Sequence, residues 1–212
     1  DRLGAGTNPD PAFNFVSSID ASFVNLGNEK AAGFDINGRF RTTVEDFRGA
    51  PLEVGVFVAW TQQTTREEQV FLEDPVDDLL GDFGNPKTRI NSTVSLAWEN
   101  WEALFATRYQ GGTTAGTVAR IDAECDTFDD STAVVGTELF KPVCDAGSRW
   151  YQDISITYRQ DSWSFTAGVN NLLDKTAPLI SGGAGSNRAN LVTSSGYDLT
   201  GRSFFFNATR AF

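Results

Sequence analysis

The feature that most constrains this chain is an alternation of apolar and polar residues with a period of two, repeated along most of its length. Such a period puts apolar side chains on one face of a strand and polar ones on the other, and it is incompatible with an amphipathic helix. Leu52, Val54, Val56, Val58 and Trp60 alternate with Glu53, Gly55, Phe57, Ala59 and Thr61. The same holds for Ile90, Val94, Leu96 and Trp98, broken only by Ser92. It returns in Trp150, Ile154, Ile156 and Tyr158, with Gln152 as the exception, and in Trp163, Phe165, Ala167 and Val169. Weaker versions run through Ile19–Phe23, Phe34–Phe40 and Ala103–Tyr109, and a last one from Tyr197 to Phe212. The reading is all-β: about eight meandering antiparallel strands of about ten residues, the length a tilted strand needs to cross a bilayer.

The connections sort by length. Glu99–Asn100 and Arg159–Ser162 predict tight turns, and Thr43–Pro51 a modest one, whereas 69–89, 111–149 and 174–196 are long. Short turns on one side and long loops on the other are the arrangement of an outer-membrane barrel. Trp98, Trp101, Tyr158, Trp163 and Phe40 are expected beside the short turns, and Trp60, Tyr109 and Trp150 toward the long loops, as two interfacial aromatic belts. The longest apolar run, Val54–Trp60, is far too short for a membrane helix. A mean hydropathy of −0.26 fits a barrel wall, whose apolar residues are diluted by alternation.

The net charge of −11 argues against a nucleic-acid partner, which requires a basic face. The chain has no histidine, so the barrel enzymes that use imidazole as a base are excluded and no catalytic residue is assigned. No metal or cofactor site is expected. The acidic groups Glu73–Asp82 and Asp122–Asp130 match no EF-hand spacing and read as solvated loops. Ser181–Ser186 is glycine-rich but does not lie between a strand and a helix, so it is no phosphate loop. Cys125 and Cys144, in one polar loop, read as a disulfide formed in an oxidising compartment. Its contribution would be about 3 kcal/mol in the chain-entropy picture. Without methionine, the chain reads as a processed protein or a fragment.

Four motifs in order then point to a family. Asn170-Asn171-Leu172-Leu173-Asp174-Lys175 with Pro178 resembles the N-L-F-D-K-x-P segment of TonB-dependent receptors, with Leu173 in place of Phe and the proline one residue late. Tyr197, Gly201 and Arg202 resemble their closing Y-x-x-x-G-R strand. Gly33-Phe34-Asp35, after Asn25, resembles a G-V-E/D strand start, and Pro86–Asn91 followed by Trp98 resembles a P-x-x-x-x-N strand opening. The terminal Phe212, with Phe204 and Phe206 at strand spacing, resembles the C-terminal signal read by the barrel assembly machinery; Arg210 departs from it.

The resemblance covers about residues 15–212, with 1–14 a loop or the end of a preceding strand. It implies the last part of a 22-stranded transmembrane barrel in the outer membrane of a Gram-negative bacterium, its plug lying upstream of this chain. The partners implied are outer-membrane lipid, the assembly machinery, TonB through the plug, and a scarce small-molecule or oligosaccharide ligand of siderophore, cobalamin or glycan type. The candidate lumen-facing residues are Asp35, Arg39, Arg41, Glu53, Glu102, Arg108 and Asp153. An isolated sheet of this kind is expected to be open. The alternative is a complete small eight-stranded barrel with a structural or adhesive role.

Overall fold

The computed structural model describes residues 27–115, 134–135, 138–139, 143–181, 187–188, 191–192 and 196–211. Seven long strands form one antiparallel meander: β1 (Asn28–Phe47), β2 (Ala50–Gln69), β3 (Thr88–Trp98), β4 (Trp101–Gln110), β5 (Arg149–Gln160), β6 (Trp163–Asn170) and β7 (Ser203–Arg210). Each pairs only with its sequence neighbours, apart from a two-residue strand, Asp77–Asp78, that adds to β2. Among the described residues the sheet is open, with β1 and β7 at its two edges. The predicted strand at Ile19–Phe23 lies outside the described residues.

The short connections are tighter than the sequence suggested. Pairing runs to Phe47↔Ala50 and Gln160↔Trp163, which leaves two-residue turns at Arg48–Gly49 and Asp161–Ser162 beside Glu99–Asn100. Each turn holds a non-glycine residue in the left-handed region: Arg48 at φ 55°, Glu99 at 52° and Asp161 at 51°. β1 and β2 are 20 residues each, twice the expected length. Their outer ends, residues 28–32 and 64–69, carry polar residues on both faces, so no alternation marks them. A bulge at Ala32/Gly33 sits where this extension begins, as bulges do where a strand is re-aimed. Gly33 is needed there, because a Cβ would lie 2.5 Å from the Gln62 carbonyl oxygen. Lys30–Glu67 and Arg66–Glu29 ion pairs tie the extension together.

Directly paired residues share a face, so the register sorts the side chains without ambiguity. One face carries the rows Val44–Leu52–Trp98–Trp101–Tyr158–Phe165, Thr42–Val54–Leu96–Ala103–Ile156–Ala167–Phe206 and Phe40–Val56–Val94–Phe105–Ile154–Val169–Phe204. Further toward the long loops comes Ile36–Trp60–Ile90–Tyr109–Trp150. Ring pairs close across strands at both ends: Trp101–Tyr158 and Tyr109–Trp150 at 4.6 Å, and Phe47–Trp98 at 6.1 Å. The two belts are eight residues apart along β4, about 27 Å at about 3.4 Å per residue. With a tilt of about 40° that becomes about 21 Å along the normal, suited to a thin outer membrane. Phe40 corrects the reading above: its partner is Val56, in the middle of the apolar band, and Phe47 takes the place beside the turn.

Among the described residues no second layer covers this face. Phe204 and Phe206 are 76% and 70% exposed, and Phe40 is 60% exposed. In water so large an apolar surface would drive aggregation; against lipid it is at equilibrium. The buried residues gather elsewhere, where Ala146, Ala177, Ile180 and Tyr197 pack together on the long-loop side with Phe83 against them. Residues 197–202 are not strand, contrary to the expectation of one continuous segment from Tyr197; β7 begins at Ser203.

Candidate functional site

The opposite face is polar, and the register places all seven candidate residues on it. Asp35 pairs with Thr61, Arg39 with Phe57, Arg41 with Gly55, and Glu53 with Thr43 and Ala97. Glu102 pairs with Ala97 and Thr157, Arg108 with Asn91 and Tyr151, and Asp153 with Ala106. Arg39, Arg41, Arg89, Arg108, Arg149 and Arg159 lie on this face with Asp35, Glu53, Glu102 and Asp153, and beyond the bulge Arg66 lies there with Glu29 and Glu68. Positive and negative groups on this wall are therefore close to balanced, although the chain as a whole is strongly acidic.

Its contacts fall into three groups. Near the short turns, Arg41, Thr43, Glu53, Gly55, Ser95 and Glu102 line an open pocket. Gly55 forms its floor, since a Cβ there would meet Ser95 Oγ at 2.4 Å. Glu102 accepts from Arg159 Nη2 at 2.6 Å. Midway, the Arg39 guanidinium lies 5.5 Å from the centre of the Phe57 ring, and Thr61 Oγ1 donates to Asp35 Oδ1 at 2.5 Å. Toward the long loops, Arg108 Nε pairs with Asp153 Oδ2 at 3.3 Å, with its guanidinium 5.5 Å above Tyr151. These pairs are partly exposed, so their value is order and orientation more than stability.

The Asp153 carboxylate joins the wall to the motif residues. Its Oδ1 accepts from the backbone N–H of Asn171 at 2.8 Å. Asn171 is fully buried and sits at φ 51°. Its side chain donates to Lys175 O at 2.9 Å and accepts from Lys175 N at 2.8 Å, closing the turn after β6. Asp174, at the end of that turn, accepts the backbone N–H of Arg202 at 2.9 Å and faces its guanidinium at 3.7 Å. Gly201 has φ 75°, and a Cβ there would lie 3.1 Å from Asp174 Oδ1. The two motifs, distant in sequence, thus close on each other at the outer end of β6 and β7. Leu172 holds the join through its N–H to Gln152 O at 2.7 Å. The Tyr197 hydroxyl reaches the carbonyls of Ala146, Gly147 and Gly111 at 3.0, 3.2 and 3.3 Å, and burial raises its pKa.

Asp198 caps this knot. Its Oδ1 accepts from Thr200 N, Thr200 Oγ1 and Gly201 N at 2.9, 2.7 and 3.2 Å. Burial pushes its carboxyl up, but the hydrogen bonds from Thr200, Gly201 and Asn171 outweigh it and hold the group below the usual carboxylate range. A carboxylate with a lowered folded pKa stabilises above the unfolded pKa, about 3.9, and loses that contribution as pH falls through the folded value. Acidification from pH 5 to 2 is expected to increase proteolysis of the 197–202 segment by an acid-active protease more in the wild type than in Asp198→Asn. Equal increases would contradict the assignment.

Phe204 and Phe206 point to the apolar face, while Phe205 packs on Gly168, whose Cβ would meet its ring at 2.4 Å. Arg210, the departure from the terminal pattern, lies 5.5 Å from the centre of the Trp163 ring. Phe212, Cys125 and the acidic stretch Asp122–Asp130 lie outside the described residues; Cys144 is disulfide-bonded. Among the described residues no group of side chains is arranged to hold a metal ion. Sequence reasoning passed over Arg159 because the turn was drawn too wide. It also passed over Phe57 and Tyr151, whose place in the polar set was visible from the alternation.

No curated protein and no solved structure shows detectable similarity to the chain. The family described as TonB dependent receptor-like, beta-barrel, matches residues 2–172. That match spans the sheet from β1 to β6 and agrees with its chemically opposite faces and its sorted loops. The chain belongs to the β-barrel family of TonB-dependent receptors.

Proposed function

We propose that this chain forms barrel wall and extracellular loops of an outer-membrane transporter that takes up a scarce ligand, of siderophore, cobalamin or glycan type, with energy relayed by TonB. Its family is one of outer-membrane receptors that carry ligands rather than transform them. The observation that carries the reading is the division of one sheet into an apolar face with two aromatic belts and a polar face rich in arginine and carboxylate. The polar face is the lumen wall, and Asp35, Arg39, Arg41, Glu53, Glu102, Arg108 and Asp153 serve there as contacts for a plug or for a ligand in transit. The long-loop side is extracellular. TonB acts through a plug encoded upstream, and the barrel assembly machinery reads Phe204 and Phe206 of β7 together with Phe212. Cys125 and Cys144 close one extracellular loop.

The test is the mass of the native protein in outer membranes, probed with an antibody to the loop around Cys125. A band far above 23.1 kDa is expected, leaving room for plug and further strands. A band near 23.1 kDa would replace this reading with the small complete barrel.

A further inference from the structure

The bulge in the β1–β2 ladder opens a hollow in the polar face. Ala32 pairs with Thr65 and Gly33 with Gln63, so Thr64 is the extra residue and the sheet bends at this point. Gly33 has no side chain and Ala31 a short one, and together with Asp35, Thr61, Gln63 and Arg89 they border a space of about 310 Å³. Asp35, Thr61 and Arg89 form one row of the polar face, one residue outward of the Ile36–Trp60–Ile90 belt. The hollow therefore stands at the outer mouth of the wall.

Two opposite charges border it and do not pair with each other. Asp35 accepts from Thr61 Oγ1 through Oδ1 alone, and Arg89 donates through Nη2 to Gly84 O at 3.3 Å. Both are exposed, and among the described residues neither has an ion-pair partner. Outward of the hollow Arg66 is held by Glu29, with Glu68 opposite Glu29 in the ladder. Inward of it Arg108 is held by Asp153, and Arg39 lies against the Phe57 ring. Arg149, in the Arg89 row beyond Gln110, donates to Thr176 O and Ser148 O. An anion in the hollow would bond Arg89 but meet the Asp35 carboxylate, and a cation would do the reverse; a like charge so placed is repelled.

We propose that this hollow is a subsite for a zwitterionic group of the cargo, one that carries an ammonium and a carboxylate as an amino acid or a short peptide does. Its ammonium donates to Asp35 Oδ2, the oxygen that Thr61 leaves open. Its carboxylate accepts from the Arg89 N–H groups that do not face Gly84. Both contacts are charge-assisted hydrogen bonds, the strong kind. The Thr61 hydroxyl and the Gln63 amide border the space between the two charges and supply neutral partners. The inference rests on the polar face being the lumen wall of a transporter, and it adds the chemical class of what that wall recognises.

The experiment is saturation-transfer NMR on the full-length transporter, plug included, in neutral detergent. The probes are L-alanine and L-alanyl-L-alanine, each also in an N-acetylated and a C-amidated form, which remove one charge at a time. Wild type is expected to bind a free form about tenfold more tightly than either blocked form, the worth of one charge-assisted hydrogen bond. Asp35→Asn should erase the preference over the N-acetylated form and keep the preference over the amide; Arg89→Gln should do the reverse. Both preferences lost together in each variant would overturn the proposal, because that is what a merely structural role produces. Equal binding of all forms by the wild type would also overturn it, as would binding of none, the result expected if the plug fills the hollow. Alanine ahead of the dipeptide, or the dipeptide ahead of alanine, sets the spacing of the two charges, and either order supports a zwitterion. Should a variant fail to fold, the wild-type ranking of free over blocked forms still decides it. The transporter reading is tested separately, by the mass of the native protein.

Discussion

Asn171→Leu is expected to lower the stability of the sheet's outer end by about 3 kcal/mol. Three causes act together. The side chain makes two hydrogen bonds to the backbone of Lys175, and their loss leaves a partly buried N–H and C=O unpaired. A buried backbone group left without a partner costs about 1–3 kcal/mol. The residue also occupies φ 51°, where asparagine is tolerated and leucine is strained by about 1–2 kcal/mol. Finally, the site is fully buried, so a branched side chain has nowhere to turn. Asn171→Gly removes the strain but not the lost bonds, and should cost less than Asn171→Leu. Thermal melting in detergent, with limited proteolysis of the turn, measures both. Equal melting of wild type and the leucine variant would mean that the knot joining Asp153, Asn171 and Asp174 does not hold the sheet.

A charge placed on the two faces of β3 should give opposite results for adjacent residues. Val94→Arg puts a guanidinium in the middle row of the apolar band, between Val56 and Phe105. At a bilayer midplane that costs about 2–4 kcal/mol. Thr93→Arg, one residue earlier, points to the polar face between Phe57 and Ala106, where the cost is within about 0.5 kcal/mol. Folding titrations of each variant into lipid vesicles measure the difference. Equal costs would mean that the two faces see the same solvent.

Much of this was legible in the sequence, because a period of two assigns side chains to faces once strands are antiparallel and in register. The seven charged candidates fell on one face for that reason. What was not legible had local causes. The outer ends of β1 and β2, residues 28–32 and 64–69, are polar on both sides, so nothing in the pattern distinguishes them from loop. Residues 197–202 looked like strand by composition, but Asp198 gathers three hydrogen bonds from Thr200 and Gly201 and folds the chain into a turn instead. Ser92 and Gln152 looked like unrelated flaws in two strands. Both pair with Thr107, and that meeting is a property of register across β4, which no single segment contains. The same holds for the meeting of Asp174 with Arg202.

All five tryptophans, Trp60, Trp98, Trp101, Trp150 and Trp163, lie on the apolar face, and none on the polar one. Quenching of their fluorescence by lipids brominated at defined depths is thus the most direct test of the claim that this face meets the bilayer. With the protein reconstituted in vesicles, bromines near the glycerol end of the acyl chains should quench strongly and bromines at the chain ends more weakly, because the belts sit at the two interfaces. Unquenched emission with the red-shifted spectrum of water-exposed indole would contradict the account.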